Sequence, residues 1–148
     1  MTKRKGRNNS KAQSCSFDDI NFKSKLEMYC YKALKREGIL ATYEKRPLHI
    51  LESFKDFAPL FKSHGGNSVK EKTSRVQGVV YTPDFEDDLD NPHWGFFIEV
   101  KGRRNEAFPM RLKLFRLWRT KNKINKDYYE VCNEKEVEEA ISLIKQNL

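Results

Sequence analysis

Hydrophobic residues recur at helical spacing in three segments of the chain, and these segments predict three helices. The spacing in SKLEMYCYKALKREG predicts a first helix from near Ser24 to Gly38. AFPMRLKLFRLWRTK, residues 107–121, predicts a second helix that is amphipathic and basic. A third helix follows Asn133, because Glu136 three residues later completes a capping box. In the second helix the positions predicted to face inward are Leu112, Phe115 and Trp118.

Four other segments are rich in branched and aromatic residues and predict strands. TYEKRPLHIL, residues 42–51, predicts an edge strand, since Pro47 cannot donate a hydrogen bond to a neighbouring strand. The remaining strands are predicted over VQGVVYTPDF (76–85), WGFFIEVKG (94–102) and DYYEVC (127–132).

Residues 52–75 fit neither period, and we interpret them as an insertion between strands. The insertion is predicted to contain a short helix around Phe54–Phe61 and a loop at Gly65, Gly66 and Asn67. The remaining elements follow the order helix, three strands, helix, strand, helix. This α-β-β-β-α-β-α order predicts an α/β fold with a mixed central sheet flanked by helices.

The composition is typical of a folded domain. Of 148 residues, 38% are hydrophobic and 34% are charged, and the length predicts one domain. The sequence shows no signal-peptide pattern and no apolar run of membrane-spanning length, so we expect no membrane partner. The three cysteines lie far apart without a CxxC pair, which favours a reducing cytoplasm over a disulfide scaffold or a zinc site.

Positive charge is concentrated in two stretches of a chain whose net charge is +8. Residues 1–16 contain five Lys or Arg and no acid, and they predict a flexible basic arm before a single domain at 17–148. Residues 101–126 contain ten Lys or Arg and one acid. Such a field favours binding to a nucleic acid, although a solvated charged surface is the alternative.

Two opposite charges interrupt the strand predicted over residues 94–102. Because side chains alternate between the faces of a strand, Phe96 and Val100 share an apolar face, whereas Glu99 and Lys101 lie on the other. A cross-strand ion pair on a solvated face would explain these two charges if no other acid lay near them.

Asp84 changes this interpretation, because it lies at the end of the preceding strand, 15 positions before Glu99. A hairpin joining the two strands would bring both carboxylates together, where they repel each other and lose hydration. A divalent cation would stabilise this arrangement, and magnesium prefers such oxygen ligands. Lys101 could then orient or deprotonate a water molecule aimed at phosphorus.

These residues carry a family resemblance. TPDF, and then EVK with fourteen residues between Asp84 and Glu99, resembles the signature of the PD-(D/E)xK nuclease superfamily. FKSKLEMYCYKALKREGILATYE is similar to the first helix and strand of small phage junction-resolving endonucleases, and the two likenesses together cover about residues 22–121. The resemblance implies a restriction-endonuclease-like core with a metal site. It also implies as ligands Glu27, Asp84, Glu99 and the main-chain carbonyl of Val100, with Lys101 as the catalytic base or water-positioning group.

Two alternatives stay open at this point. Glu27 also completes a capping box with Ser24, which would give it a purely structural role. In addition, the acidic run after Asp84 offers other carboxylates close to the predicted site: Glu86, Asp87, Asp88 and Asp90.

Basic residues near the predicted site are candidates for contacts with phosphates, with solvated surface charge as their alternative. One lies at the start of the first helix, two directly follow the EVK strand, and three lie on the basic helix. They are Lys25, Arg103, Arg104, Arg111, Lys113 and Arg116.

The expected function is therefore a magnesium-dependent endonuclease that hydrolyses DNA phosphodiester bonds, with manganese as a possible substitute and no small-molecule cofactor. The resemblance implies branched or junction DNA as substrate, a homodimer, and the cytoplasm of a bacterial host if the chain is phage-encoded. A non-catalytic nucleic-acid-binding module with the same fold and an RNA-directed nuclease are the alternatives, since charge alone does not separate the two polymers.

Overall fold

The computed structural model describes residues 13–72, 75–91, 93–102 and 108–148. Within these ranges the chain forms a mixed α/β fold of three helices and twelve strands, many of them short. The helices are α1 (Lys25–Arg36), α2 (Phe108–Lys121) and α3 (Glu134–Asn147). The strands are β1 (Cys15–Phe17), β2 (Ile20–Phe22), β3 (Ala41–Tyr43), β4 (Leu48–Leu51), β5 (Phe54–Lys55), β6 (Phe61–His64), β7 (Ser68–Glu71), β8 (Arg75–Val76), β9 (Val79–Tyr81), β10 (Phe85–Asp87), β11 (Phe96–Val100) and β12 (Asp127–Val131).

The three predicted helices are confirmed, and local signals explain their ends. Ser24 caps α1 by accepting a hydrogen bond from the Glu27 amide at 3.1 Å, and Gly38 turns the chain away with a left-handed φ of +68°. Asn133 caps α3 by accepting a hydrogen bond from the Glu136 amide at 2.9 Å. In α2 the predicted inward positions pack in one cluster, with Phe115 buried and Leu112 and Trp118 partly buried.

A four-stranded sheet lies at the centre of the molecule in the order β12-β11-β10-β3. The β3–β10 and β10–β11 pairs are antiparallel, whereas β11 and β12 are parallel. Strand β11 is buried along its whole length, which explains its long run of large apolar residues. Together with the helices these strands follow the predicted order α-β-β-β-α-β-α, and the α/β class is confirmed.

Helices cover both faces of this sheet. On one face, α1 and α3 pack against β11 through buried residues such as Leu34, Ile98 and Ile141. On the other face, Phe97 of β11 packs against Phe115 of α2 with their rings 5.5 Å apart at an angle of 87°. The two buried clusters hold β11 rigidly between them, and β11 carries the charged residues discussed below.

Residues 48–81 form a two-stranded antiparallel ribbon, called the ribbon below, of which residues 73–74 are not described. It consists of the pairs β4–β9, β5–β8 and β6–β7 and contains the predicted insertion at 52–75. The predicted turn at Gly65, Gly66 and Asn67 closes it. At its base, Leu48, Ile50 and Tyr81 are buried beside α2.

The prediction of a short helix around Phe54–Phe61 is wrong, because this segment forms β5 and the first residue of β6. Pro59 lies within it, and a proline inside a helix removes an amide donor and clashes with the preceding turn. Cross-strand pairing with β7 and β8 satisfies the backbone there instead.

Two predicted strands are each divided in the structure. Residues 42–51 contribute to β3 in the central sheet and to β4 in the ribbon, because Glu44 takes a left-handed φ of +46° and Pro47 cannot continue a ladder. Residues 76–85 similarly contribute to β9 and β10, with Pro83 between the two strands.

The N-terminal stretch lies mostly outside the described residues. Residues 1–12 of the predicted arm fall there, whereas β1 begins at Cys15 and forms a hairpin with β2. None of the helices in the described ranges combines the length and the apolar character that crossing a membrane requires.

Candidate active site

The β10–β11 register places Asp84 opposite Glu99. Phe85 pairs with Ile98 in this antiparallel ladder, so the preceding residue, Asp84, faces the following residue, Glu99. The Val100 amide donates a hydrogen bond to Asp84 Oδ2 at 2.6 Å, which fixes the carboxylate at the end of the strand. The two acids thus meet at one end of the sheet.

Glu99 is buried, with 5% of its surface exposed, and both of its carboxylate oxygens are engaged. The Tyr81 hydroxyl donates to Oε2 at 2.6 Å, and Lys101 forms an ion pair with Oε1. The Lys101 amine also lies 4.1 Å from the centre of the Phe108 ring, a cation–π contact with the first residue of α2. Strand and helix therefore hold the amine beside the carboxylates.

The environment of Asp84 is unfavourable for a carboxylate. Burial and the nearby negative charge of Glu99 raise the pKa of Asp84 to about 7, although the Val100 amide and Lys101 act in the opposite direction. Burial and Glu99 likewise raise the pKa of Tyr81, so its hydroxyl remains a donor. Asp84 is therefore the acid of this cluster whose charged form is disfavoured.

Glu27 lies in the same electrostatic environment but is held by other groups. Its Oε2 accepts hydrogen bonds from the Tyr43 hydroxyl at 2.5 Å and from the Lys23 amide at 3.0 Å. Its Oε1 accepts one from the Ser24 hydroxyl at 3.0 Å. Glu27 therefore supports the helix start in a variant of the predicted capping box, with the Lys23 amide and the Ser24 hydroxyl as donors in place of the Ser24 amide. Its charge still contributes to the raised pKa of Asp84.

Three of the acids that follow Asp84 make contacts away from the site. Glu86 binds Lys126 and Arg46, and Asp87 pairs with Lys126 and accepts hydrogen bonds from two backbone amides. Asp88 accepts a hydrogen bond from the Thr42 hydroxyl and pairs with Lys45. These three acids are therefore bound to cations of other segments, Lys126, Arg46 and Lys45, and not to the groups around Asp84 and Glu99.

A divalent cation at this site would need several oxygen ligands from the protein, water or substrate. Among the described residues no group of three or more His, Cys, Asp or Glu side chains is close enough to hold a metal ion. Asp84 and Glu99 nevertheless offer two facing carboxylates, and burial together with the charge of Glu99 raises the pKa of Asp84. Hard oxygen donors of this kind suit magnesium. This pair fits a cation that takes its remaining ligands from water and substrate phosphate.

The predicted phosphate-binding residues fall in three places. Lys25 is exposed on the first turn of α1, and Lys113 and Arg116 are exposed on α2. Arg111 is partly buried, and its Nε atom is buried without a hydrogen-bond partner. Arg103 and Arg104 lie outside the described residues.

Two tyrosines that sequence reasoning missed contact the acids directly, Tyr81 at Glu99 and Tyr43 at Glu27. A signal for the first was present, because Tyr81 lies three residues before Asp84 in VVYTPDF. Its role depends, however, on the ribbon base packing beside α2, which strand periodicity does not indicate.

Comparison of the chain with family models, with curated proteins and with solved structures finds no match. The functional interpretation therefore depends on the contacts described above and on the sequence resemblance.

Proposed function

We propose that the protein is a magnesium-dependent endonuclease with a restriction-endonuclease-like core that hydrolyses phosphodiester bonds in DNA. One observation carries the proposal: Asp84 and Glu99 face each other across two adjacent strands, with the Lys101 amine paired to Glu99. Two facing carboxylates repel each other and so do not stabilise the fold by themselves. They are suited, however, to holding a cation against a phosphate.

The element order supports the same proposal. The core α1-β3-β10-β11-α2-β12 follows the order helix, three strands, helix, strand that the resemblance implies for this superfamily. The candidate acids then lie at the ends of two central strands, on the sheet face that packs against basic helix α2. Helix α2 begins at Phe108 beside Lys101, and its exposed Lys113 and Arg116 are candidates for contacts with the substrate backbone.

Each residue takes one role in the proposed mechanism. Asp84 and Glu99 would hold the cation, which when bound polarises the phosphoryl oxygen. Lys101 positions the attacking water as a three-donor ammonium, since Glu99 and the Phe108 ring keep it in place. Tyr81 fixes the second oxygen of Glu99 and so orients this carboxylate.

A plasmid-nicking assay tests the reaction class. The wild type should nick supercoiled DNA with magnesium or manganese and fail with EDTA, and Lys101→Ala should lower the rate by about 10³-fold or more. Lys135→Ala, on exposed α3, is the matched control and should cleave like the wild type. Absence of metal-dependent cleavage of any DNA would favour the non-catalytic module instead.

Branched DNA as substrate and a homodimeric state belong to the same proposal and depend on the resemblance. Cleavage of linear duplex, single-stranded, flap, looped and four-way-junction DNA under matched conditions would rank the substrates. Equal rates on linear and branched DNA would contradict the branch preference and leave the reaction class intact.

A further inference from the structure

The ribbon places like charges directly opposite each other in two of its strand pairs. Lys55 faces Arg75 between β5 and β8, and Lys62 faces Lys70 between β6 and β7. All four side chains are exposed, and no carboxylate of the described residues forms an ion pair with any of them. Like charges at facing positions destabilise an antiparallel pair. The ribbon therefore keeps an unfavourable arrangement that an anionic partner would relieve.

Alternation along β6 and β7 separates a basic face from a mixed face. Lys62 and Lys70 share the basic face with His64 and Ser68, which also pair with each other. The Lys72 amide donates to the Leu60 carbonyl at 2.8 Å and extends the ladder, so Lys72 joins this face. The other face carries Phe61, Ser63, Val69 and Glu71.

The ribbon tip gains little stability from the rest of the molecule. Every described residue from 61 to 72 is exposed, whereas the base is anchored by buried Leu48, Ile50 and Tyr81. Two-stranded hairpins without a covering layer are marginally stable in water. A partner that binds the tip would offset the cost of ordering it.

We propose that the ribbon is an arm that binds duplex DNA, with Lys62 and Lys70 directed at its phosphates. This arm is separate from the basic arm predicted at residues 1–16. The choice of DNA as the partner rests on the proposed function. The basic face is inferred from the cross-strand pairs alone and does not depend on that function. The shape of the duplex supports the choice. The major groove of B-form DNA, about 12 Å wide, accepts a two-stranded ribbon, whereas that of A-form RNA is deep and narrow.

The ribbon starts beside the candidate active site. Tyr81, the last residue of β9, donates a hydrogen bond to Glu99 and lies three positions before Asp84. From Leu48, which pairs with Tyr81, to Lys62 the chain runs 62 − 48 = 14 residues, which at about 3.3 Å per residue reach at most about 46 Å. At about 3.4 Å per base pair the arm can contact DNA within roughly 14 base pairs of the cleaved bond.

Binding measurements on the full chain in EDTA, where cleavage is suppressed, test this arm. We would titrate a linear DNA duplex of about 40 base pairs between 50 and 200 mM salt. Lys62→Gln/Lys70→Gln should lower the slope of log affinity against log salt by about 2 and weaken binding about tenfold near 150 mM salt.

Two control variants separate this arm from general charge loss and from ribbon damage. Lys32→Gln/Lys135→Gln removes the same charge from α1 and α3, on the opposite side of the central sheet, and should change the slope by less than half as much. Phe61→Ser/Val69→Ser alters the other face of the same ribbon and should retain the wild-type slope.

The binding results separate DNA binding by the ribbon from its alternatives. The arm is refuted if Lys62→Gln/Lys70→Gln matches the wild type or the distant-charge control, or if only the Phe61→Ser/Val69→Ser variant loses binding or changes oligomeric state. Equal competition by duplex RNA would overturn the assignment to DNA. If the wild type binds DNA through the ribbon but never cleaves it, the proposed function fails while the arm stands.

Discussion

Strand β10 connects two acidic clusters with opposite electrostatic character. At its C-terminal end the acids are compensated, since Lys126 lies 3.1 Å from Glu86 and 3.0 Å from Asp87. Arg46 completes this cluster with two hydrogen bonds to Glu86, at 2.7 and 3.0 Å. Because its charges are already paired, the cluster has little capacity for a further cation.

At the N-terminal end of β10 the balance is reversed. Asp84 faces Glu99, and Lys101 is paired with Glu99. Burial would raise the pKa of Glu86, but Arg46 and Lys126 hold it below its ordinary value. The pKa of Asp84 instead rises to about 7. The candidate site therefore differs from the compensated cluster in the raised pKa of its acid, and not in the number of acids.

The largest expected effect belongs to the compensated cluster. Lys126→Met keeps the length of the side chain but leaves Glu86 and Asp87 buried without their shared cation. We expect the free energy of unfolding to fall by about 3–5 kcal/mol, measured by urea denaturation at pH 7.5. Lys113→Met, on the exposed side of α2, should stay within about 0.5 kcal/mol of the wild type. Equal stability of both variants would contradict the structural role of Lys126.

Replacing one acid of each cluster by its amide should change stability in opposite directions. Asp87→Asn loses a charge that Lys126 and two backbone amides stabilise, and should lower the free energy of unfolding by about 2 kcal/mol. Asp84→Asn removes a buried charge and its repulsion from Glu99. It should raise the free energy of unfolding by up to about 2 kcal/mol at pH 8 without divalent ions. Urea denaturation of both variants provides the measurement.

The sign of the pH dependence follows from the raised pKa of Asp84. Between the unfolded value, 3.8, and about 7, the folded chain binds the extra proton, so the Asp84 contribution to stability falls as pH rises. The difference in free energy of unfolding between Asp84→Asn and the wild type should therefore grow between pH 4 and pH 7 and then level off. Magnesium should reduce this difference in stability at pH 8 and have little effect on it at pH 5. A difference that stays constant at all pH values would refute the interpretation.

The fold was largely predictable where one segment obeys one period. The segments that became α1, α2, α3, β11 and β12 carry clear helical or strand patterns with caps or turns at their ends. The ribbon was not predictable from periodicity, because its tip has no buried face to impose alternation. Pro47 and Pro83 signalled breaks whose effect, dividing each strand between two sheets, depends on tertiary pairing.

The candidate site was predictable in part for a similar reason. An antiparallel hairpin brings the end of one strand near the start of the next, so the spacing indicated that Asp84 and Glu99 approach each other, while the exact register depends on the connecting loop. The groups that distinguish the two clusters come from distant elements. Lys126 lies 40 positions from Glu86, and Tyr81 reaches Glu99 because the ribbon base packs beside α2. Local patterns in the sequence do not contain these contacts.

The smallest expected effect on stability is at Glu27, where the cap and the proposed site make different demands on one side chain. In Glu27→Gln the amide oxygen can accept the hydrogen bonds from Tyr43 and Lys23, and the amide nitrogen can donate to Ser24. The free energy of unfolding should change by less than about 1 kcal/mol, since glutamine also serves in a capping box. A cation or its bound water needs the negative charge, so metal-dependent DNA cleavage should be lost. Unfolding curves and nicking rates measured on one preparation separate the two roles, because full activity with unchanged stability would assign Glu27 to the cap alone.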